Sequence, residues 1–293
     1  MSLAVRSLPM TPDFEVPSAL AYFALLVQDD AHFPLLEAAA SLAQDEYPDA
    51  DMQLLLGDVD QLAARLSRRV SSDASPLQRL QVLNRFFYSD LGFQGNANHF
   101  HDPDNSFLHV VLRTRRGIPV SLAVLWLELA HSIRLKACGV GFPGHFLVKI
   151  TLPQGQVVVD PMTGQSLSRE ELVERLAPYQ QAHGLVGDFE APLGLYLQPT
   201  PDRDIVARML HNLKEIYRTS EDWGRLLAIQ ERLVRLLPTA LEERRDRGLV
   251  RAELNLFELA MEDLASYLSS RPHAVDADAV CGRLQELSQQ VGL

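Results

Sequence analysis

Residues 120–133 include Leu122, Ala123, Val124, Leu125, Trp126, Leu127, Leu129 and Ala130, so a helix through them has almost no polar face. A helix that is apolar nearly all round must be enclosed by neighbours on every side. Pro119 stands at the start of this run, in a first-turn position where a missing N–H costs nothing. The run falls short of the roughly 18 apolar residues that a membrane span needs, so burial inside a protein core is the expectation.

The flanking segments supply candidates to enclose it. From about residue 18 to 90 the pattern is helical, with Pro17 ahead of an apolar stretch at 19–27 and Pro34 ahead of another at 35–43. Ser75-Pro76-Leu77-Gln78 is a capping box, followed by Leu80, Leu83, Phe86 and Phe87 at helical spacing, with Gly92 as a stop. Residues 92–105, GFQGNANHFHDPDN, are loop by composition, with Asn105 or Ser106 expected to cap a short helix over 106–115.

After the apolar helix the period changes. Residues 146–151 and 156–160 are rich in β-formers, and Pro153-Gln154-Gly155 between them reads as a hairpin connection. Ser168-Arg169-Glu170-Glu171 is a second capping box, opening a helix to about Leu176. Residues 178–201 hold four prolines and three glycines and read as a linker. Beyond Asp202 the pattern is helical throughout. Pro238 and Pro272 are 34 residues apart, the period of a tetratricopeptide helix pair, and Gly248, Ala260, Leu264 and Tyr267 fall at its small and bulky packing positions. Lys214 stands where the preceding unit should have its small residue, and a plain helical bundle is the alternative.

Charge and cysteine usage remove several classes. The net charge is −11, and residues 1–60 carry eleven acids against the single base Arg6. Nucleic-acid binding is disfavoured by that balance, whereas a basic partner docking on the acidic segment is compatible with it. Residues 1–10 hold no long apolar stretch, so no secretory signal is expected. Cys138 and Cys281 form no CxxC pair, which argues against a disulfide framework or structural zinc, and Cys138 reads as a small apolar residue. The expectation is a reduced, cytoplasmic protein with no cofactor and no membrane association.

The chemistry is concentrated between His99 and Asp160. If Pro153-Gln154 is a two-residue turn, antiparallel pairing sets Asp160 opposite Leu147, two positions from His145. The two side chains then share a face as diagonal neighbours, about 7–8 Å apart between Cα atoms. A three-residue turn would put them on opposite faces. His145, Lys149, Gln156 and Asp160 form the more polar face, where a His–Asp pair could act as base and orienter. The plainer reading is a hydrogen-bonded core histidine and a turn aspartate ahead of Pro161. A second constellation, His99, His101, Asp102, Asp104 and His109, has the residue types of a divalent metal site, although Asp-Pro-Asp-Asn is also turn chemistry. Arg113, Arg115 and Arg116 form a basic cluster suited to a carboxylate or phosphate, or else to a solvated face or pairing with the acidic segment.

The runs RRGIPVSLAVLWLELAHSIRL, GVGFPGHFLVKI and VVVDPMTG resemble a transglutaminase-like, papain-type core: a helix, a strand with His, a strand with Asp. Together with GFQGNANHFHDPDNSFL they resemble the SirB-type family of bacterial transglutaminase-like proteins, which carry a C-terminal tetratricopeptide region. The resemblance implies an α+β fold. A helical N-terminal region at 1–91 would precede a papain-like core with a small antiparallel sheet at 92–177, then the 178–201 linker and an all-α tetratricopeptide-like tail at 202–293. It also implies a Cys–His–Asp catalytic set, with His145 and Asp160 as the second and third members. Gly117 and Ala123 set the register, and the cysteine position then falls on Pro119, with Ser121 the nearest hydroxyl. Asp102, Asn105 and Arg116 are implied to line the cleft.

The function expected is a non-catalytic binding or regulatory protein that recruits a protein partner through its helical tail. A hydrolase or acyltransferase using Ser121, His145 and Asp160 is the first alternative. A metal-binding protein using His99, His101 and Asp102 is the second.

Overall fold

The computed structural model describes residues 17–185, 187 and 191–292; residues 1–10 and the acids Asp13 and Glu15 lie outside them. The N-terminal region contributes α1 (Ala19–Leu26), α2 (Leu35–Ser41), α3 (Met52–Ser67) and α4 (Pro76–Asn84). Ser75 and Gln78 cap α4 reciprocally, as the sequence motif predicts. Next come β1 (Gln94–Gly95), α5 (Leu108–Thr114), β2 (Arg116–Gly117) and α6 (Pro119–Ser132). The sheet follows with β3 (Ala137–Val140), β4 (Leu147–Leu152), β5 (Gly155–Val159) and β6 (Ser166–Leu167), and then α7 (Arg169–Ala182) and the short α8 (Leu193–Tyr196). The tail is α9 (Asp202–Thr219), α10 (Trp223–Leu236), α11 (Leu241–Glu253), α12 (Phe257–Ser270) and α13 (Ala277–Gln290). The protein is thus mostly helical, with a small antiparallel four-stranded sheet and helical repeats at its C-terminal end. Among the described residues no helix is long and apolar enough to cross a membrane.

Helix α6 is the axis of the core. Leu122, Ala123, Trp126 and Ala130 are fully buried, and α2, α3, α4, α5, α9, β3 and β4 all pack against it. The indole N–H of Trp126 donates to Asn84 Oδ1 at 3.1 Å, so the one polar atom of the largest core side chain is satisfied.

The sheet runs β3-β4-β5-β6, antiparallel throughout. Leu152 pairs with Gly155 and Val148 with Val159, so Pro153-Gln154 is a two-residue turn. Phe146, Val148, Ile150 and Val159 belong to the same apolar core as α6. The opposite face is less polar than its sequence suggests. Leu147 and Val158 on that face join Val140 and Phe142 against Leu172 and Leu176 of α7, with Leu193, Tyr196 and Leu197 alongside. Lys149 is buried there, and its ammonium donates to the Leu197 carbonyl at 2.5 Å.

The segment 178–201 departs from the linker expected of it. Pro178 lies inside α7, and the residues around α8 pack against the sheet. The Gly141 N–H donates to Thr200 Oγ1 at 2.6 Å, and the Thr200 N–H donates to the Gly139 carbonyl at 2.9 Å. Prolines and glycines there shape a strap rather than a free connection. It delivers α9 directly into the main core, where Ile205, Val206, Met209, Leu210 and Leu213 share one apolar cluster with α6.

Helices α11–α13 build a separate cluster from Ala252, Ala260, Leu264, Tyr267, Val280 and Leu287. A Cβ on Gly248 would lie 3.0 Å from both Leu264 Cδ2 and Asp263 Cβ, which explains the small residue at that repeat position. One period earlier the solution is electrostatic: the Lys214 ammonium donates to Glu243 and to Asp246, each at 2.7 Å. Gly248→Val is therefore expected to cost about 2 kcal/mol through overpacking, read from urea unfolding.

The acidic N-terminal segment finds basic partners within its own chain. Asp30 pairs with Arg203 at 2.6 Å, Asp45 with Arg232 at 2.7 Å, and Glu46 with Arg225 at 2.5 Å. These contacts join the loops around α1–α3 to α9 and α10.

Candidate functional site

The site is built where β4 begins and β5 ends. Hydrogen bonding of the His145 N–H to the Phe142 carbonyl at 2.9 Å closes a turn that enters β4, with Gly144 at φ +70° supplying a left-handed residue. Asp160 follows β5, and its carbonyl accepts from the Gly164 N–H at 2.8 Å in the next turn. The observed hairpin register therefore brings the two side chains together, with His145 Nε2 at 3.0 Å from Asp160 Oδ1. A carboxylate only accepts, so Nε2 carries a proton in this contact.

Two further donors hold the carboxylate. The Met162 N–H donates to Oδ1 at 2.9 Å, and Arg175 Nη1 on α7 donates to Oδ2 at 3.0 Å. Burial by itself would raise the Asp160 pKa. The hydrogen bond and charge of His145, the Met162 amide and Arg175 outweigh burial and hold it down at about 2. Tyr88 donates to the Pro161 carbonyl at 3.1 Å, and burial together with the Asp160 charge pushes its phenol upward.

Strand β1 ties this turn to the start of α6. The Gly95 N–H donates to the Met162 carbonyl at 2.9 Å, and the Asn96 N–H donates to the Gly117 carbonyl at 3.0 Å. A Cβ on Gly95 would lie 2.2 Å from Met162 Cε, so glycine permits this close approach.

The start of α6 carries Pro119 and Ser121. Pro119 is its first residue and is buried. Ser121 is fully buried two positions on, and its hydroxyl donates to the Asn105 carbonyl at 2.6 Å while accepting from the Ile118 N–H at 3.1 Å. The structure brings His145 and Asp160 together, and it gives Ser121 no hydrogen bond to His145. Ser121 stitches the 96–105 loop to α6.

The loop residues have structural partners. Asn105 is buried rather than lining an open cleft: its amide donates to the His99 carbonyl at 2.6 Å and its Oδ1 accepts from Asn96 at 2.9 Å. Asp102 caps a short 3-10 turn over Pro103–Ser106 by accepting from the Asp104 N–H. The N-cap of α5 is Phe107, with no side-chain cap, so neither Asn105 nor Ser106 caps it. Arg116 donates to the Gly92 carbonyl at 3.2 Å and braces the loop. His99, His101 and Asp102 are exposed, while His109 packs edge-on to Tyr47, with ring centroids 4.6 Å apart. Among the described residues no group of three His, Cys, Asp or Glu side chains is arranged to hold a metal. Cys138 on β3 is half-buried, and burial pushes its thiol upward.

Arg175 and Tyr88 carry no signal of their place beside Asp160 in the sequence. The capping box at Ser168 locates α7, but nothing in it says that α7 crosses back over Asp160.

A helix, a His-bearing strand and an Asp-bearing strand, with the helix start roped to the aspartate turn, define a transglutaminase-like core. The family model described as the transglutaminase-like superfamily matches residues 53–211, and one described as tetratricopeptide repeat matches residues 213–285. The chain belongs to the transglutaminase-like superfamily and, within it, to the UPF0162 family. A UPF0162 protein of Xylella fastidiosa (strain 9a5c) is 37% identical over 267 residues, covering 91% of this chain and 94% of that protein. The UPF0162 protein YchA of Escherichia coli (strain K12) is 23% identical over 261 residues, covering 88% of this chain and 94% of that protein.

Proposed function

We propose that this protein is a non-catalytic binding or regulatory member of its family, which retains the His–Asp half of a cysteine acyl-transfer site and recruits a protein partner through its repeat tail. The observation that carries this reading is the start of α6: Pro119 has no nucleophile, and the Ser121 proton is committed to the Asn105 carbonyl at 2.6 Å. A thiol is readily lowered to thiolate by a helix N-terminus and an adjacent imidazole. A serine needs an aligned base and an oxyanion hole to attack at all, and Ser121 has no hydrogen bond to His145.

The His145–Asp160–Arg175 arrangement then serves as a hydrogen-bonded polar cluster that fixes the turn after β5 against α7. Tetratricopeptide repeats in general mediate protein–protein contacts, which supports assigning the recruiting role to the tail. A fluorophosphonate probe followed by intact-mass and peptide analysis tests the nucleophile. The expected result is no adduct on Ser121. An adduct on Ser121 that disappears in Ser121→Ala would restore the hydrolase reading.

A further inference from the structure

Between α3 and α5 lies a cavity of about 540 Å³, within the range of small-ligand pockets. Three arginines reach it: Arg65 from the last turns of α3, Arg113 from α5, and Arg115 from the residue that ends α5. Arg115 sits at φ +60°, a left-handed conformation unusual for a non-glycine residue. Its guanidinium lies 4.7 Å from the centroid of the Phe93 ring, and its Nη1 is buried with no hydrogen-bond partner. His109, one turn before Arg113 on α5, also lines the cavity, and its Nδ1 is buried without a partner.

Among the described residues, none of these three guanidiniums is in an ion pair with a carboxylate. Two acids share the wall. Asp51 is already occupied as the N-cap of α3, accepting from the Gln53 and Leu54 N–H groups. Three guanidiniums against the carboxylates of Asp51 and Asp58 leave the cavity wall with a net charge of +1, His neutral. The groups also act on one another: after burial, the Arg65 charge is what most depresses the Arg115 pKa, and Arg113 does the same to His109. Gathering three guanidiniums around a cavity with none of them directly ion-paired is unfavourable unless an anion enters. The remaining wall includes Leu55, Leu62 and Leu112, which suits a ligand with an apolar body.

We propose that this cavity binds a small ligand through its oxyanion group, a phosphate or a carboxylate, held by Arg65, Arg113 and Arg115. The planar forks of arginine match both groups in a bidentate manner. The site uses none of His145, Asp160 or Ser121, so it stands or falls independently of the reading given above.

Isothermal titration of the full-length protein with inorganic phosphate, and separately with malonate, tests it at ionic strength fixed with sodium chloride. Saturable one-to-one binding of at least one anion is expected, and which of them binds assigns the oxyanion as phosphate or carboxylate. Arg113→Gln and Arg65→Gln are each expected to weaken that binding by about tenfold or more, as loss of a charge-assisted hydrogen bond should. Arg113 is exposed and removing its charge relieves repulsion within the cluster, so its replacement is expected not to lower the unliganded melting temperature. Absence of saturable heat with both anions, or unaltered affinity in both variants, would overturn the proposal.

Discussion

Asp45→Asn is expected to lower the unfolding free energy by about 3 kcal/mol, the lower end of the range for breaking a buried ion pair from one side. The reason lies with its partner. Arg232 on α10 is completely buried, with its Nε donating to Asp45 Oδ2 at 2.7 Å and its guanidinium 4.9 Å from the centroid of the Phe23 ring. Both of its Nη atoms are buried without hydrogen-bond partners, so the Asp45 carboxylate and the Phe23 face are what compensate the charge. Removing the carboxylate strands a cation in an apolar environment. Removing the cation is milder, because Asp45 keeps 35% of its side-chain surface in water and can be hydrated. Arg232→Met is therefore expected to recover much of the loss when combined with Asp45→Asn. Urea unfolding of the two single variants and the double variant checks this. A loss below about 1 kcal/mol for Asp45→Asn would mean that the pair behaves like an exposed one.

The second large effect concerns Asp160 and has a defined pH window. Its carboxyl titrates at about 2 in the folded protein, against 3.8 ordinarily. A group whose folded pKa is depressed stabilises fully above its unfolded value, and that contribution is lost as pH falls through the folded value. Asp160 is thus expected to contribute about 2 kcal/mol above pH 4, lost progressively between about pH 4 and pH 2. Most of this belongs to His145 and the Met162 amide. Arg175 keeps 42% of its side chain exposed, and solvent screening weakens its share. Asp160→Asn is expected to be less stable than wild type at neutral pH, with the two stability curves converging below pH 4. Curves that stay parallel across that window would show that the carboxylate is not held by its neighbours.

Much of this arrangement was legible in the sequence because it depends on local rules. The length of the Pro153-Gln154 turn decides the register, and the register places Asp160 next to His145. The capping boxes at Ser75 and Ser168 mark two helix starts, and the near absence of polar residues in α6 identifies the central helix. The 34-residue spacing of Pro238 and Pro272 exposes the repeat. What sequence reasoning missed depends on long-range packing. The alternation of His145, Lys149 and Gln156 suggests an open polar face, yet α7 and Leu197 cover most of it. Proline and glycine content made 178–201 look unattached, although Thr200 is hydrogen-bonded to β3. The acidic N-terminal segment invited a basic partner from outside, and arginines more than 170 positions away in the same chain fill that role. Ser121 is the nearest hydroxyl to the expected cysteine position, and its hydrogen bond to the Asn105 carbonyl depends on a residue 16 positions away that only the fold brings close.

We propose that the retained histidine and aspartate no longer drive acyl transfer. Time-resolved hydrolysis and transamidation assays on broad peptide pools, run on wild type and His145→Ala, test it most directly. The two proteins are expected to be indistinguishable from each other and from the uncatalysed background. Reproducible turnover by the wild type that is lost in His145→Ala would contradict it.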